Sequence, residues 1–293
     1  MDCCHLSVDG IVVESSTGDH QLIRQTRTLK RQNMLQEISR LNRILPIIGF
    51  GTWELTGQEC ISSIDHALRI GYRHIDTAQI YHNEKEVGKG INQSGVDRNH
   101  VFITTKIAAE NLVPSRIVSS TLASLQDLDT PYVDLLLIHW PTEEMDLEAC
   151  LDTMFELQEK RHVKNIGVSN FTPKMFRRAI SHGPLLTNQV HFSPHHQQWK
   201  NLNAARRENI PLTAHSPLDQ GDIPNDKRLA EIGVKYHKSA AQVALRWLIQ
   251  LGHMAVIPKA ASEKHRMENM EIFDFELTRD DMRAIRDLGN TNA

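Results

Sequence analysis

Cysteine is scarce in this chain: Cys3, Cys4, Cys60 and Cys150 are the four in 293 residues, too few and too irregular for a disulfide framework. Cys3, Cys4 and His5 are adjacent, yet no second pair follows at zinc-site spacing, so no metal is expected. Free thiols fit a reducing compartment, and the cytoplasm is the expected location. Long apolar runs are missing too; none approaches the roughly 20 residues that span a bilayer, so no membrane partner is expected. The N-terminus lacks a basic start followed by an apolar core and does not read as a secretory signal. Nor is there an excess of one charge. A formal net charge of −3 gives no reason to expect nucleic acid or an anionic membrane as partner.

What is present is an ordinary globular composition, 40% apolar and 24% charged, with sixteen histidines. His191, His195 and His196 in "HFSPHHQQ" lack the i, i+4 spacing of a zinc-hydrolase helix and read as loop residues lining a pocket. Residues 1–43 are polar with little periodicity, apart from "LQEISRLNRILP", which could be helical. They read as an extension, part of it expected to be disordered.

From residue 44 to 293 short β-branched runs alternate with longer amphipathic ones. The expected strands are "PIIGFGTW", "YRHIDTA", "VFITTKI", "DLLLIHW", "NIGVSN", "TNQVHF", "PLTAHS" and "AVIPK". Helical spacing runs through segments such as "SAAQVALRWLIQLG", where Val243, Trp247 and Leu251 share a face and Gly252 is a natural stop. Thr172-Pro173 reads as an N-cap followed by proline at the first helical position. Strand–helix alternation argues for a parallel sheet, and eight strands in about 250 residues match a closed (β/α)8 barrel, a single α/β domain. The alternative, a doubly wound open sheet, should carry a glycine-rich phosphate turn. "IGFGTWEL" offers Gly49 and Gly51 but no third glycine.

Three expected strands end in ionisable residues. The second ends in Asp76, with Tyr81 in the following loop; the third carries Lys106; the fourth carries His139. In a barrel these positions meet at the C-terminal rim, where catalytic groups sit. Taken singly, Asp76 and Lys106 could be a buried ion pair and His139 a core histidine. Together they make a coherent proton donor. A phenol with a pKa of about 10 is a poor acid near neutrality, and a lysine cation beside Tyr81 should pull that value down. Asp76 would keep Lys106 charged, and His139 could donate a hydrogen bond to a carbonyl oxygen. Such a site protonates oxygen while a nicotinamide cofactor supplies hydride to carbon.

Asp76, Tyr81, Lys106 and His139, in "DTAQIY", "TTK" and "LIHWP", resemble the catalytic tetrad of the aldo-keto reductases, over about residues 44–288. The resemblance implies a (β/α)8 barrel that binds NADPH in extended form. It places Ser169, Asn170 and Gln189 on the nicotinamide carboxamide and Thr52 and Trp53 beside cofactor and substrate. His215 stands at a position usually held by a tyrosine stacked on the nicotinamide. Ser216 and Leu218 match the pyrophosphate loop. Lys259 matches a lysine that meets the 2′-phosphate, and Glu268 and Asn269 match adenine contacts. Two departures stand out: Ala260 replaces a phosphate-binding serine or threonine, and His265 replaces an arginine, with Arg266 one place later. Imidazole does not replace a guanidinium fork, so NADPH is expected over NADH by a reduced margin.

Ala108 stands where many relatives have a bulky aromatic, which should widen a pocket walled by Trp53 and Trp140, with His195 a further candidate. The chain ends in "DLGNTNA" without a long closing loop, so the expected substrates are small dicarbonyls or keto-sugar acids such as methylglyoxal or 2,5-diketo-D-gluconate. The family further implies a monomer. Two other readings stay open: a nucleotide-sensing protein with slow chemistry, and an aldolase using Lys106 as a Schiff base.

Overall fold

The computed structural model describes residues 44–289; the polar extension, its expected helix, Cys3 and Cys4 lie outside the described residues. Eight parallel strands follow in chain order: β1 (Phe50–Gly51), β2 (His74–Asp76), β3 (Phe102–Ile107), β4 (Leu135–Ile138), β5 (Ile166–Ser169), β6 (Asn188–His191), β7 (Leu212–His215) and β8 (Met254–Val256). Each pairs with the next, and the sheet closes on itself. Gly49 N donates to Val256 O at 2.8 Å, Val256 N to Ile47 O at 2.9 Å and Gly51 N to Pro258 O at 3.1 Å. The fold is therefore a closed (β/α)8 barrel, and the open doubly wound sheet is excluded. Gly49 and Gly51 belong to this seam rather than to a phosphate turn. A Cβ at Gly51 would lie 2.9 Å from Ile257 O, and one at Gly49 would lie 2.7 Å from His74 Nδ1.

The connecting helices are α1 (Gly57–Arg69), α2 (Glu84–Ser94), α3 (Pro114–Asp127), α4 (Leu147–Glu159), α5 (Pro173–His182), α6 (Trp199–Arg207), α7 (Lys227–Val234), α8 (Ala240–Gln250), α9 (Glu263–Met270) and α10 (Arg279–Leu288). Local signals set several of their ends. Thr172 caps α5 by accepting from Met175 N, and Ser239 and Gln242 form a reciprocal capping box on α8. Gly252, with φ 78°, ends the turn after α8 in the left-handed region open to glycine. The extra helix α7 between β7 and α8 was not read from the sequence.

Strand alternation divides the core in two. Outward residues such as Ile75, Ile103, Leu136, Ile138 and Val168 join Trp247 and the helices in the large cluster. Leu135, Leu137 and Ala255 point into the barrel and pack with Leu45 and Phe102. Burying one such aliphatic side chain contributes about 1.5–3 kcal/mol. Above this apolar plug the inward positions turn polar, at His74, Thr104, Thr187 and Thr213, and then at Asp76, Lys106 and Gln189. That change of character along the barrel axis is what creates a site.

Candidate active site

At the C-terminal end of the barrel, Lys106 Nζ donates to Asp76 Oδ1 at 2.5 Å and to Thr77 O at 2.8 Å, and lies 3.4 Å from the Tyr81 hydroxyl. The Lys106 and Asp76 side chains are 0% and 2% exposed. An ammonium so deep needs fixed partners, and it has three. The second carboxylate oxygen of Asp76 is held by Gln189 Nε2 at 2.7 Å; a carboxylate only accepts, so the amide orientation is set. Tyr81 ends a 3₁₀ turn (Gln79–Tyr81), and His139, one residue beyond β4, meets its ring edge-on with centroids 5.7 Å apart. The structure thus brings all four tetrad positions together.

Their protonation follows from burial and charge. Burial alone would lower Lys106, but Asp76 and then Tyr81 outweigh it, and its pKa lies above the ordinary value. Tyr81 differs from the sequence expectation. Burial raises the phenol by more than Lys106 lowers it, so it stands above its ordinary value and protonated near neutrality. His139 is pushed down to about 3, first by burial and then by Lys106, and is neutral. Its Nδ1 is buried without a partner. The tautomer with hydrogen on Nε2 leaves only a lone pair in the interior and a donor for the open side.

On β5 to β7 the register sets Ser169 beside Gln189 and His191 beside His215. Asn170 sits just after β5 in a left-handed conformation (φ 61°). Its Nδ2 donates to His139 O at 3.1 Å and Ser169 Oγ at 3.0 Å, and its Oδ1 accepts from His215 Nε2 at 3.0 Å. The Asn170 amide is therefore engaged at both ends within the protein. His215, expected to be a titratable ring, is held down at about 3 by burial and then by His191.

Other expected contacts are also taken up internally. Thr52 is buried and donates to Asp76 O at 3.0 Å. Ala108 is 1% exposed, with its amide N on Gln79 Oε1 at 2.9 Å, so it does not border the opening as expected. Trp53 and Trp140, 41% and 51% exposed, do stand at the rim. Leu218 packs on the core and Ser216 is half-buried. Asn269 is buried. Glu268 pairs with Lys264 at 3.7 Å, His265 is exposed, and Lys259 pairs with Glu54.

Sequence reading missed two supports. Asn83 donates to Thr52 O and Leu55 O, both at 2.9 Å, and accepts from Thr77 Oγ1 at 2.7 Å, tying the loops after β1 and β2 together. Buried Glu84 accepts from Thr105 Oγ1 at 2.5 Å and Ser124 Oγ at 3.0 Å behind β3. Both follow Tyr81 directly in "YHNE", a placement that could have marked them.

The histidine-rich segment is not all loop. His191 ends β6, stacks on His196 with centroids 4.2 Å apart, and donates to Asp219 Oδ1 at 2.6 Å. His195, expected as a pocket wall, bonds Asp226 at 2.7 Å. The three histidines and Asp219 line a cavity of about 640 Å³. Among the described residues no three histidine, cysteine or acidic side chains are arranged to hold a metal ion. No helix among them is long and apolar enough to cross a membrane.

This constellation, on a closed eightfold barrel, is that of an oxidoreductase class. The aldo/keto reductase family model matches residues 47–290, and the chain belongs to that family. It is 38% identical over 246 residues to methylglyoxal reductase DkgB of Escherichia coli O157:H7, covering 82% of this chain and 92% of the relative. It is 37% identical over 246 residues to glyoxal reductase of Bacillus subtilis, covering 82% and 88%. Among solved structures it resembles a protein provisionally assigned as a 2,5-diketo-D-gluconic acid reductase B, with 42% identity, TM-score 0.81 and 83% and 87% of the two chains covered.

Proposed function

We propose that the chain reduces small carbonyl compounds to alcohols, with Tyr81 as proton donor and NADPH as the preferred cofactor. The observation that carries this reading is the buried Asp76–Lys106–Tyr81 array beside a neutral His139. A reduced nicotinamide nucleotide supplies hydride when bound. Its fit can be tested on hydrogen-bonding capacity. With Gln189 Nε2 on Asp76 and Ser169 Oγ accepting from Asn170, Gln189 Oε1 and the Ser169 hydroxyl hydrogen remain without a hydrogen-bond partner among the described residues. One acceptor and one donor, side by side, match a primary carboxamide.

The chain's own residues then divide the work. His139 Nε2–H donates to the substrate carbonyl oxygen and orients it. Tyr81 gives its proton to that oxygen as negative charge develops there, and Lys106, held by Asp76, stabilises the phenolate left behind. A Schiff-base role for Lys106 is disfavoured, because a lysine kept protonated by Asp76 has no lone pair for attack. Small dicarbonyls suit a rim with two open tryptophans, and the names of the relatives supply methylglyoxal as the first candidate.

The test is NADPH consumption with methylglyoxal and with 2,5-diketo-D-gluconate, repeated with NADH and with Tyr81→Phe. Turnover is expected to fall by about 10²–10⁴ in Tyr81→Phe while NADP⁺ binding is retained. Unchanged turnover in that variant would remove Tyr81 as the acid.

A further inference from the structure

Where the sequence suggests a phosphate grip, the structure shows cations already engaged. Lys259, just beyond β8, has Nζ 3.2 Å from Glu54 Oε2, and the two side chains are 35% and 58% exposed. Lys264 is paired with Glu268 along α9. Arg266 cannot stand in for the arginine absent at His265. Its Nη1 donates to Ala260 O at 3.0 Å, Ala261 O at 2.8 Å and Ser63 Oγ at 3.1 Å, and its Nε meets His66 Nδ1 at 3.2 Å. The Ser262 hydroxyl caps α9 by accepting from His265 N, and Ala260 has no hydroxyl to offer.

Glu54 is well placed to hold its partner. It lies in a turn with φ 62°, closed by Leu55 N donating to Thr52 O at 3.0 Å. Buried Asn83 bonds the carbonyls on both sides of it. The carboxylate is therefore presented from a fixed turn and not from a loose loop.

Resting on the reading of the chain as a nicotinamide-dependent reductase, we propose that Glu54 is a specificity-determining residue that holds Lys259 and thereby narrows the preference for NADPH over NADH. To meet a 2′-phosphate, Lys259 must leave Glu54 or bring a second anion beside it. Either course weakens the phosphate contact. NADH carries no such phosphate and is unaffected, so the two cofactors are brought closer in affinity. The pair is solvent-accessible, so the effect is moderate and sensitive to salt.

Calorimetric titration of the intact protein with NADP⁺ and with NAD⁺ tests this without turnover. Glu54→Gln is expected to tighten NADP⁺ about two- to fivefold and leave NAD⁺ unchanged. Lys259→Gln should weaken NADP⁺ selectively, and adding Glu54→Gln to it should change nothing further. Both side chains are at the surface, and unchanged melting curves will show that the variants fold. If Glu54→Gln shifts both nucleotides alike, shifts neither, or acts equally without Lys259, the proposal is overturned. Absence of binding by either nucleotide to the unmodified chain would instead overturn the reductase reading itself.

Discussion

The two ends of the proposed cofactor cleft hold their charges in opposite ways. At the ends of β2 and β3, Asp76 and Lys106 are sealed from water, and each oxygen of Asp76 has its own donor. Beyond β8 and along α9, Lys259, Lys264, Glu54 and Glu268 are partly exposed and paired across short gaps. Buried charges must be satisfied completely, so their geometry becomes rigid and their protonation is set by neighbours. Exposed charges exchange partners at little cost, which suits a site that adapts to one cofactor or another. The proposed function therefore assigns chemistry to the first region and selectivity to the second.

The sharpest way to break this contrast is at Asp76. Asp76→Asn strands a buried ammonium and should destabilise the fold by about 3–5 kcal/mol, read from urea denaturation. The double variant Asp76→Leu/Lys106→Met removes both charges and should regain much of that stability while remaining inactive. If the single variant proves as stable as the parent, the pair is not the rigid element described here.

A smaller effect comes from pH. Buried His74 and His139 have pKa values held at about 4 and about 3, chiefly by burial. The folded values lie below the unfolded one, so both histidines favour the fold fully above about pH 6.5 and lose that contribution as acid protonates the unfolded chain. Each should remove up to about 1.4 kcal/mol of stability per pH unit between pH 6 and the folded value, seen as a falling melting temperature. Activity, in contrast, should show no inflection from His139 between pH 5 and 8 where the fold persists. The smallest effect is expected on the outer surface. Arg178 grips Glu148 through two bonds, of 2.8 and 2.6 Å, yet Arg178→Ala should leave the urea midpoint where it was, because water replaces the partner.

The barrel and the tetrad were legible because they rest on local rules. Period-2 alternation marked eight strands, and ionisable residues at the ends of β2, β3 and β4 marked the rim. Thr172 signalled a helix start by its capping hydroxyl, and Gly252 a helix stop by the left-handed backbone that the lack of a side chain permits. The surroundings of the proposed cofactor positions were less legible. Asn170 and Thr52 matched the motif positions, yet each is engaged with a residue distant in the chain, His215 and Asp76 respectively. "HFSPHHQQ" showed histidines without showing that Asp219 and Asp226 would meet them from the loops after β7.

Sequence by itself determined the closed parallel barrel and the four residues of the proposed proton-donor array, Tyr81, Lys106, Asp76 and His139, since side-chain alternation along short strands puts those residues on one rim. Only the tertiary structure decided that burial raises Tyr81 more than Lys106 lowers it, that Gln189 holds Asp76, and that Glu54 meets Lys259 from 205 residues away. Desolvation and ion pairing depend on which groups surround a charge in space, and chain order does not specify that until the barrel closes.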